Sequence, residues 1–335
     1  MKSLKSILEA SILADIDDQL EAGDEALKSA IERFISENYR YNSIEISDEP
    51  NKDEKYEVIG HGNISVIDED SITSLTNGLF VWKYVDRQFV CEECINLKSL
   101  EGAPEKVGTS FFCCGCSSLK DLKGGPKETG KSFSCDGCSN LKSLEGGPEY
   151  VGYNFNCNGC ENLKSLEGGP KTVMGEYTCV NCNSLTSLKG APRYVGDNFK
   201  CNHCDSLKSL EGAPKGVGGY FDCSCCKSLV SLDGAPKEVG VDFHCSYCDS
   251  LKSLKGAPNK VRYDFFCYNC ASLESLKGSP KTIEGSFGCQ NCESLKSLDG
   301  MPKEIGGNFK CWNCGTQFTN SDIKQICKVK GDISC

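Results

Sequence analysis

Histidine is nearly missing from this chain, with only His61, His203 and His244 among 335 residues. Three histidines so placed assemble neither a recognisable Ser-His-Asp arrangement nor an HExxH helix, and the expectation is a protein without catalytic residues. Basic excess is missing too. The formal charge is -10, and residues 1 to 60 hold 15 acidic against 7 basic side chains, which leaves -2 for everything after them. That balance offers no basic footprint for nucleic acid and no polybasic run for an anionic membrane, so neither is expected as a partner. Long apolar runs are lacking as well. Charges interrupt the opening Met1-Lys-Ser-Leu4-Lys-Ser-Ile7-Leu8-Glu9, which rules out a secretory h-region, and no later run approaches a membrane span. The expected location is therefore the cytoplasm of a host cell, with association with a virion as the alternative. Phosphate fingerprints are absent, since Gly60-His-Gly62 and Gly216-Val-Gly218-Gly219 lack the spacing and read as turns.

What the chain does have is one sentence written many times. Phe89-Val-Cys91-Glu-Glu-Cys94-Ile-Asn-Leu97-Lys-Ser-Leu100-Glu-Gly102-Ala-Pro104-Glu-Lys-Val107-Gly108-Thr-Ser110 occupies 22 residues, and the next aromatic, Phe111, begins it again. The series runs through Phe133, Phe155, Tyr177, Phe199, Phe221, Phe243, Phe265, Phe287 and Phe309 without insertion or deletion. A unit this small cannot bury its own apolar face, so neighbouring units must stack. The columns of Leu97, Leu100, Gly102 and Pro104 are invariant, and Val107 recurs as Val or Ile except at Thr129. Phe89-x-Cys91 alternates like a strand, while Leu97-x-x-Leu100-x-Gly102 marks a second strand edge before a tight turn. Two short parallel strands per turn follow, stacked about 4.8 Å apart.

Around the array the pattern changes. Apolar residues at helical spacing from Leu4 to Ile16, and again from Ala26 to Ile35 after Gly23-Asp24, predict two helices in an acidic segment spanning 1–42. Ser43–Ser47 and Tyr56–Ile59 predict a hairpin. Ile64-Ser-Val66-Ile67-Asp-Glu69-Asp-Ser-Ile72-Thr-Ser-Leu75 overlays Phe89 to Leu100, with Val66 in a cysteine position, so residues 43–88 read as a hairpin and a degenerate capping turn. The eleven CxxC turns fill 89–314, and 315–335 reads as a C-terminal cap in which Asn320 to Val329 form a short closing helix.

Of the 26 cysteines, 22 form CxxC pairs separated by 18 residues, a spacing inside the zinc-ribbon window. A four-thiolate metal site, for example Cys91, Cys94, Cys113 and Cys116 or the next pair Cys135 and Cys138, would impose a 44-residue super-period that the sequence does not show. Val66 argues instead that the first position takes any small apolar side chain. The second cysteine follows Gly or Asn in seven of eleven units, which predicts a left-handed residue there and an S–H group that reaches a carbonyl. Packed thiols are the preferred reading and no cofactor is expected; a zinc-binding array with a structural or storage role is the alternative.

The phrase VGxxFxCxxCxSLKSLEGAP resembles leucine-rich repeats of the BspA-like type. From Ile64 to Gly331 the chain is most similar to Cys-rich repeat proteins of tailed bacteriophages, including Leu75-Thr-Asn-Gly78-Leu-Phe80-Val-Trp82 and Cys327-Lys-Val-Lys-Gly331. The resemblance implies no enzymatic activity. The expected fold is mainly β: a leucine-rich-repeat-like parallel β-solenoid with an N-terminal helical and hairpin cap and a short C-terminal capping helix. The expected role is a protein-interaction or scaffold module with a protein partner. Its contacts would lie in the most varied outward column: Val90, Phe112, Ser134, Asn156, Thr178, Lys200, Asp222, His244, Phe266, Gly288 and Lys310.

Overall fold

A chain that meets the same aromatic every 22 residues can pair each aromatic strand in register with the next. In the computed structural model, which describes residues 24–66 and 70–335, it does so. Phe89–Val90 pairs parallel with Phe111–Phe112, and the series continues to Phe309–Lys310 with phenylalanine opposite phenylalanine. This ladder has 14 strands, and a second ladder of 14 runs beside it. The protein is thus a mainly β, parallel solenoid of 22-residue turns.

The second ladder lies elsewhere than the leucines suggest. Its strands are two-residue pieces such as Lys106–Val107 and Glu128–Thr129, after the proline. Leu97 and Leu100 are both fully buried, three residues apart, and a pleated strand would send them to opposite faces. Their segment instead contributes one bond per turn, from the Leu100 N–H to the Lys123 carbonyl (3.1 Å) and from Leu122 to Glu145 (2.9 Å). Gly102 then turns the chain at a φ of 87°, and the Ala103 N–H closes back on the Leu100 carbonyl at 2.9 Å. At the equivalent Gly124 a Cβ would run into the backbone of Glu101, so neither the conformation nor the space admits a side chain.

The caps extend both ladders. Helix α1 (Asp24–Asn38) buries Ile31, Phe34 and Ile35, with the Phe34 ring 6.1 Å from that of Phe80. The helix expected from Leu4 to Ile16 lies outside the described residues. Ser43–Ile46 and Tyr56–His61 form the expected antiparallel hairpin, and Tyr39–Arg40 closes the first ladder against Ile64–Val66. Ile64 pairs with Phe89, which places buried Val66 where later turns have cysteine. At the far end α2 (Asn320–Ile326) is capped by Thr319 and Asp322. It is not a terminal lid: Lys328–Val329 and Ile333–Ser334 follow it and continue both ladders. Inside that last turn α2 replaces the leucine segment, burying Ile323 and Phe318. Among the described residues no helix is long and apolar enough to cross a membrane.

Each regular turn buries an aromatic ring, two cysteines, two leucines and a valine-like residue, at about 1.5–3 kcal/mol of transfer free energy for each large apolar side chain before entropy. The rings stack along the axis, Phe89 on Phe111 at 5.6 Å and 4°, Phe199 on Phe221 at 5.2 Å and 6°. The residue before every second cysteine has positive φ, and this includes Glu93, His203, Cys225 and Tyr247 as well as the glycines and asparagines. That turn aims the sulfur backwards. The Cys116 thiol donates to the Cys91 carbonyl at 2.9 Å, Cys138 to Cys113 at 3.1 Å and Cys160 to Cys135 at 3.3 Å, a pattern that persists to Cys314 and Cys289 at 3.3 Å.

Burial pushes the thiols of Cys223, Cys226, Cys245, Cys248 and Cys267 well above their ordinary range, and that of Cys270 up to about 12. The thiolate, which is the reactive and metal-binding form, is therefore withheld at neutral pH.

Three outcomes follow from this core. A disulfide reagent at pH 7.5 should label Cys335 first and at most Cys114, Cys225 and Cys314 after it, with all 26 thiols reacting only in denaturant. Above about pH 9 the unfolded chain gives up thiol protons that the folded chain retains, so stability falls as pH rises. The six thiols named would remove about 8 kcal/mol per pH unit there, giving cooperative unfolding within roughly one unit, read by circular dichroism under reducing conditions. The Tyr177 hydroxyl is fully buried and has no hydrogen-bond partner among the described residues. Tyr177→Phe should therefore raise stability by about 1–2 kcal/mol in denaturant titrations.

Candidate interaction face

The cysteines are the first chemistry to place. The spacing alternative assigned a metal to Cys91, Cys94, Cys113, Cys116, Cys135 and Cys138. In the structure the Cys116 and Cys138 sulfurs point at backbone carbonyls of the preceding turn. Among the described residues no group of three His, Cys, Asp or Glu side chains is arranged to hold a metal ion. The histidines are likewise dispersed. His61 sits in the cap between Glu45 (3.2 Å) and Asp86 (3.4 Å), while His203 and His244 belong to separate turns of the array.

The outward column predicted from the sequence is the second residue of each first-ladder strand, brought into one row by the in-register pairing. It stands less proud of the surface than an outward column suggests. Phe112, Asn156, Lys200, Asp222, His244 and Phe266 are half-buried, Ser134 and Thr178 are buried, and Lys310 is exposed. The cause is the spacing of about 4.8 Å between rungs, which makes each side chain pack on the next. The Thr178 hydroxyl donates to Asn156 Oδ1 at 3.0 Å, and the Cys114 thiol donates to the Ser134 hydroxyl at 3.1 Å.

From Lys200 onward the row becomes aromatic and charged. Lys200 Nζ lies 2.9 Å from Glu176 and 5.3 Å from the ring centroid of Tyr220. Partial burial works against its charge, but these two partners outweigh it and hold the ammonium above its ordinary pKa. Tyr220 meets His244 at 6.0 Å, His244 meets Phe266 at 5.2 Å, Phe266 meets Tyr268 at 6.0 Å, and Tyr268 meets Tyr247 at 5.5 Å. Five rings thus make contact across three rungs. Tyr220 and Tyr268 were not singled out from sequence, although period-two alternation puts both on the face of His244 and Phe266. Tyr247 escapes even that signal, because its left-handed backbone breaks the alternation.

The other surfaces are different in kind. The column of Glu101, Lys123 and Glu145 mixes signs, and its members pair: Lys123 with Glu145 at 3.4 Å, Lys189 with Glu211 at 3.3 Å. The second ladder repeats the device with Lys106 and Glu128 at 3.0 Å and Lys171 and Glu149 at 3.0 Å. A groove of about 770 Å³ runs beside that ladder over Gly125, Gly147 and Gly169, where later turns carry Ala, Ser or Met. Charged side chains of alternating sign, Glu105, Lys127, Glu149 and Lys171, line it.

No protein-family model matches the chain, and no curated protein does. Among solved structures it is similar to a leucine-rich repeat protein from Bacteroides ovatus, at 15% identity and a TM-score of 0.33, over 87% of this chain and 99% of that one. A likeness at that score carries no argument, and the parallel solenoid of leucine-rich turns rests on the strand pairing itself.

Proposed function

We propose that the chain is a non-enzymatic protein-interaction module, encoded by a bacteriophage, that presents the outer face of its first ladder to a protein partner. The observation that carries this reading is the contrast between the two sides of one strand. The inward residue is aromatic in every turn, whereas the outward neighbour varies and becomes a connected patch of rings only between Tyr220 and Tyr268. Aromatic side chains of this kind, half-buried and rimmed by polar groups, are what protein interfaces are enriched in. The phage origin rests on the resemblance of Leu75 to Trp82 and Cys327 to Gly331 to repeat proteins of tailed phages. The cytoplasm of the host is the matching location.

The test compares two immobilised proteins, the parent chain and a Phe266→Glu, Tyr268→Glu variant shown by thermal denaturation to be equally folded. Both are exposed to extract of infected cells. A protein retained by the parent and lost by the variant is the expected result. Identical retained sets would place any interaction on another face.

A further inference from the structure

The patch also indicates what it would hold. At its near end the surface makes one complete contact with its own lysine: the Lys200 ammonium sits between the Glu176 carboxylate and the Tyr220 ring. A cation held by a carboxylate on one side and an aromatic face on the other is a favourable and recurrent pairing. Over the next rungs both partner types recur, but the lysine does not. Asp222 and Asp242 supply carboxylates, and His244, Phe266 and Tyr268 supply ring faces.

The carboxylates are held in place. Asp222 Oδ1 accepts the Ser224 N–H at 2.9 Å and Asp242 Oδ1 accepts the Asp264 N–H at 2.8 Å, which fixes their direction before any ligand arrives. Next to Phe266 the following rung is open, because Gly288 has no side chain and a Cβ there would stand 3.1 Å from the ring. Beyond that gap Gln290 Oε1 is a buried acceptor without a hydrogen-bond partner. An unpaired acceptor asks for a donor. Lys310 is two rungs past Phe266, at about 10 Å by strand spacing, close to one screening length at ordinary ionic strength.

We infer that the strip of Asp222, Asp242, His244, Phe266, Tyr268 and Gln290 takes an arginine or lysine side chain from a basic segment of the partner protein. This rests on the interaction-module reading of the same face. An acidic segment would meet the carboxylates as like charges, and a purely apolar one would leave them and Gln290 without partners.

The test uses the full chain and a fluorescein-labelled peptide of alternating arginine and glycine, with a citrulline peptide as the neutral isostere. The arginine peptide should bind at least about tenfold more tightly, and the difference should shrink as salt rises. Phe266→Ala and Asp222→Asn should each weaken it about fivefold. Glu149→Gln, an equal change of charge on the second ladder, should leave it within about twofold. Equal binding of the two peptides would overturn the inference, as would equal losses from Asp222→Asn and Glu149→Gln, which signal diffuse attraction. Spermine displacing the peptide at matching concentration would overturn it in favour of a polyamine site. If the infected-cell partner is lost with the Phe266 and Tyr268 variant while the arginine peptide fails, the face stands and its cationic ligand falls. If both fail, the face itself is wrong.

Discussion

Every other feature depends on the equality of turn length. Parallel pairing of Phe89 with Phe111, and of Val107 with Thr129, requires that both strands of a turn advance by the same 22 residues. A one-residue slip would send the aromatic outward and its neighbour inward. Two ladders share one core, so a slip in either unseats both. The array avoids this by tolerating no length change between Phe89 and Phe309. Variation is confined to the ends. The turn from Ile64 to Phe89 has three extra residues, and the second ladder shows a register shift between Val58 and Ile59 as it pairs with Phe80–Val85. The turn from Phe309 to Ile333 has two extra, and there a helix replaces the leucine segment.

Within that constraint the cysteine pair does two jobs that no single apolar residue does. Its first member is a small filler beside the aromatic stack, which is why Val66 can stand in. Its second is filler and donor at once, bonding the carbonyl of the preceding turn at a place where the backbone has turned left-handed. The donor explains why the position is polar enough to attract a zinc reading, and why that reading fails: the sulfur already faces a carbonyl, and burial disfavours the thiolate a metal would need.

The period, the first ladder and the left-handed corner could be read from sequence because each leaves a mark in every copy: an aromatic, a cysteine two residues on, a glycine or asparagine before the next cysteine. At Glu93, His203, Cys225 and Tyr247 the mark is missing, yet the corner persists, since neighbouring turns impose the backbone whatever residue occupies it. The second ladder was misplaced for the opposite reason. Its two-residue strands bury a single valine, too short a pattern to register, while the louder leucine pair is not a strand. The lid reading of α2 failed because Ile333, which restores the aromatic column, carries no repeat signature. The outward column was found, but its partners were not, because contact across a rung joins residues 22 apart in the chain and in different columns, as Lys200 with Tyr220 or His244 with Tyr220.

This separation of roles also says where the array can change. The inward residues are shared between adjacent turns, so substituting one disturbs two interfaces. An outward residue touches only the row beside it, and substitutions several rungs apart do not couple. The ring patch from Tyr220 to Tyr268 is therefore a local edit on a uniform scaffold. It is anchored at one end by an internal lysine and bounded at the other by the gap at Gly288. The fold supplies the same rigid spacing everywhere; only the chemistry written on a few rungs distinguishes one stretch of the face from another.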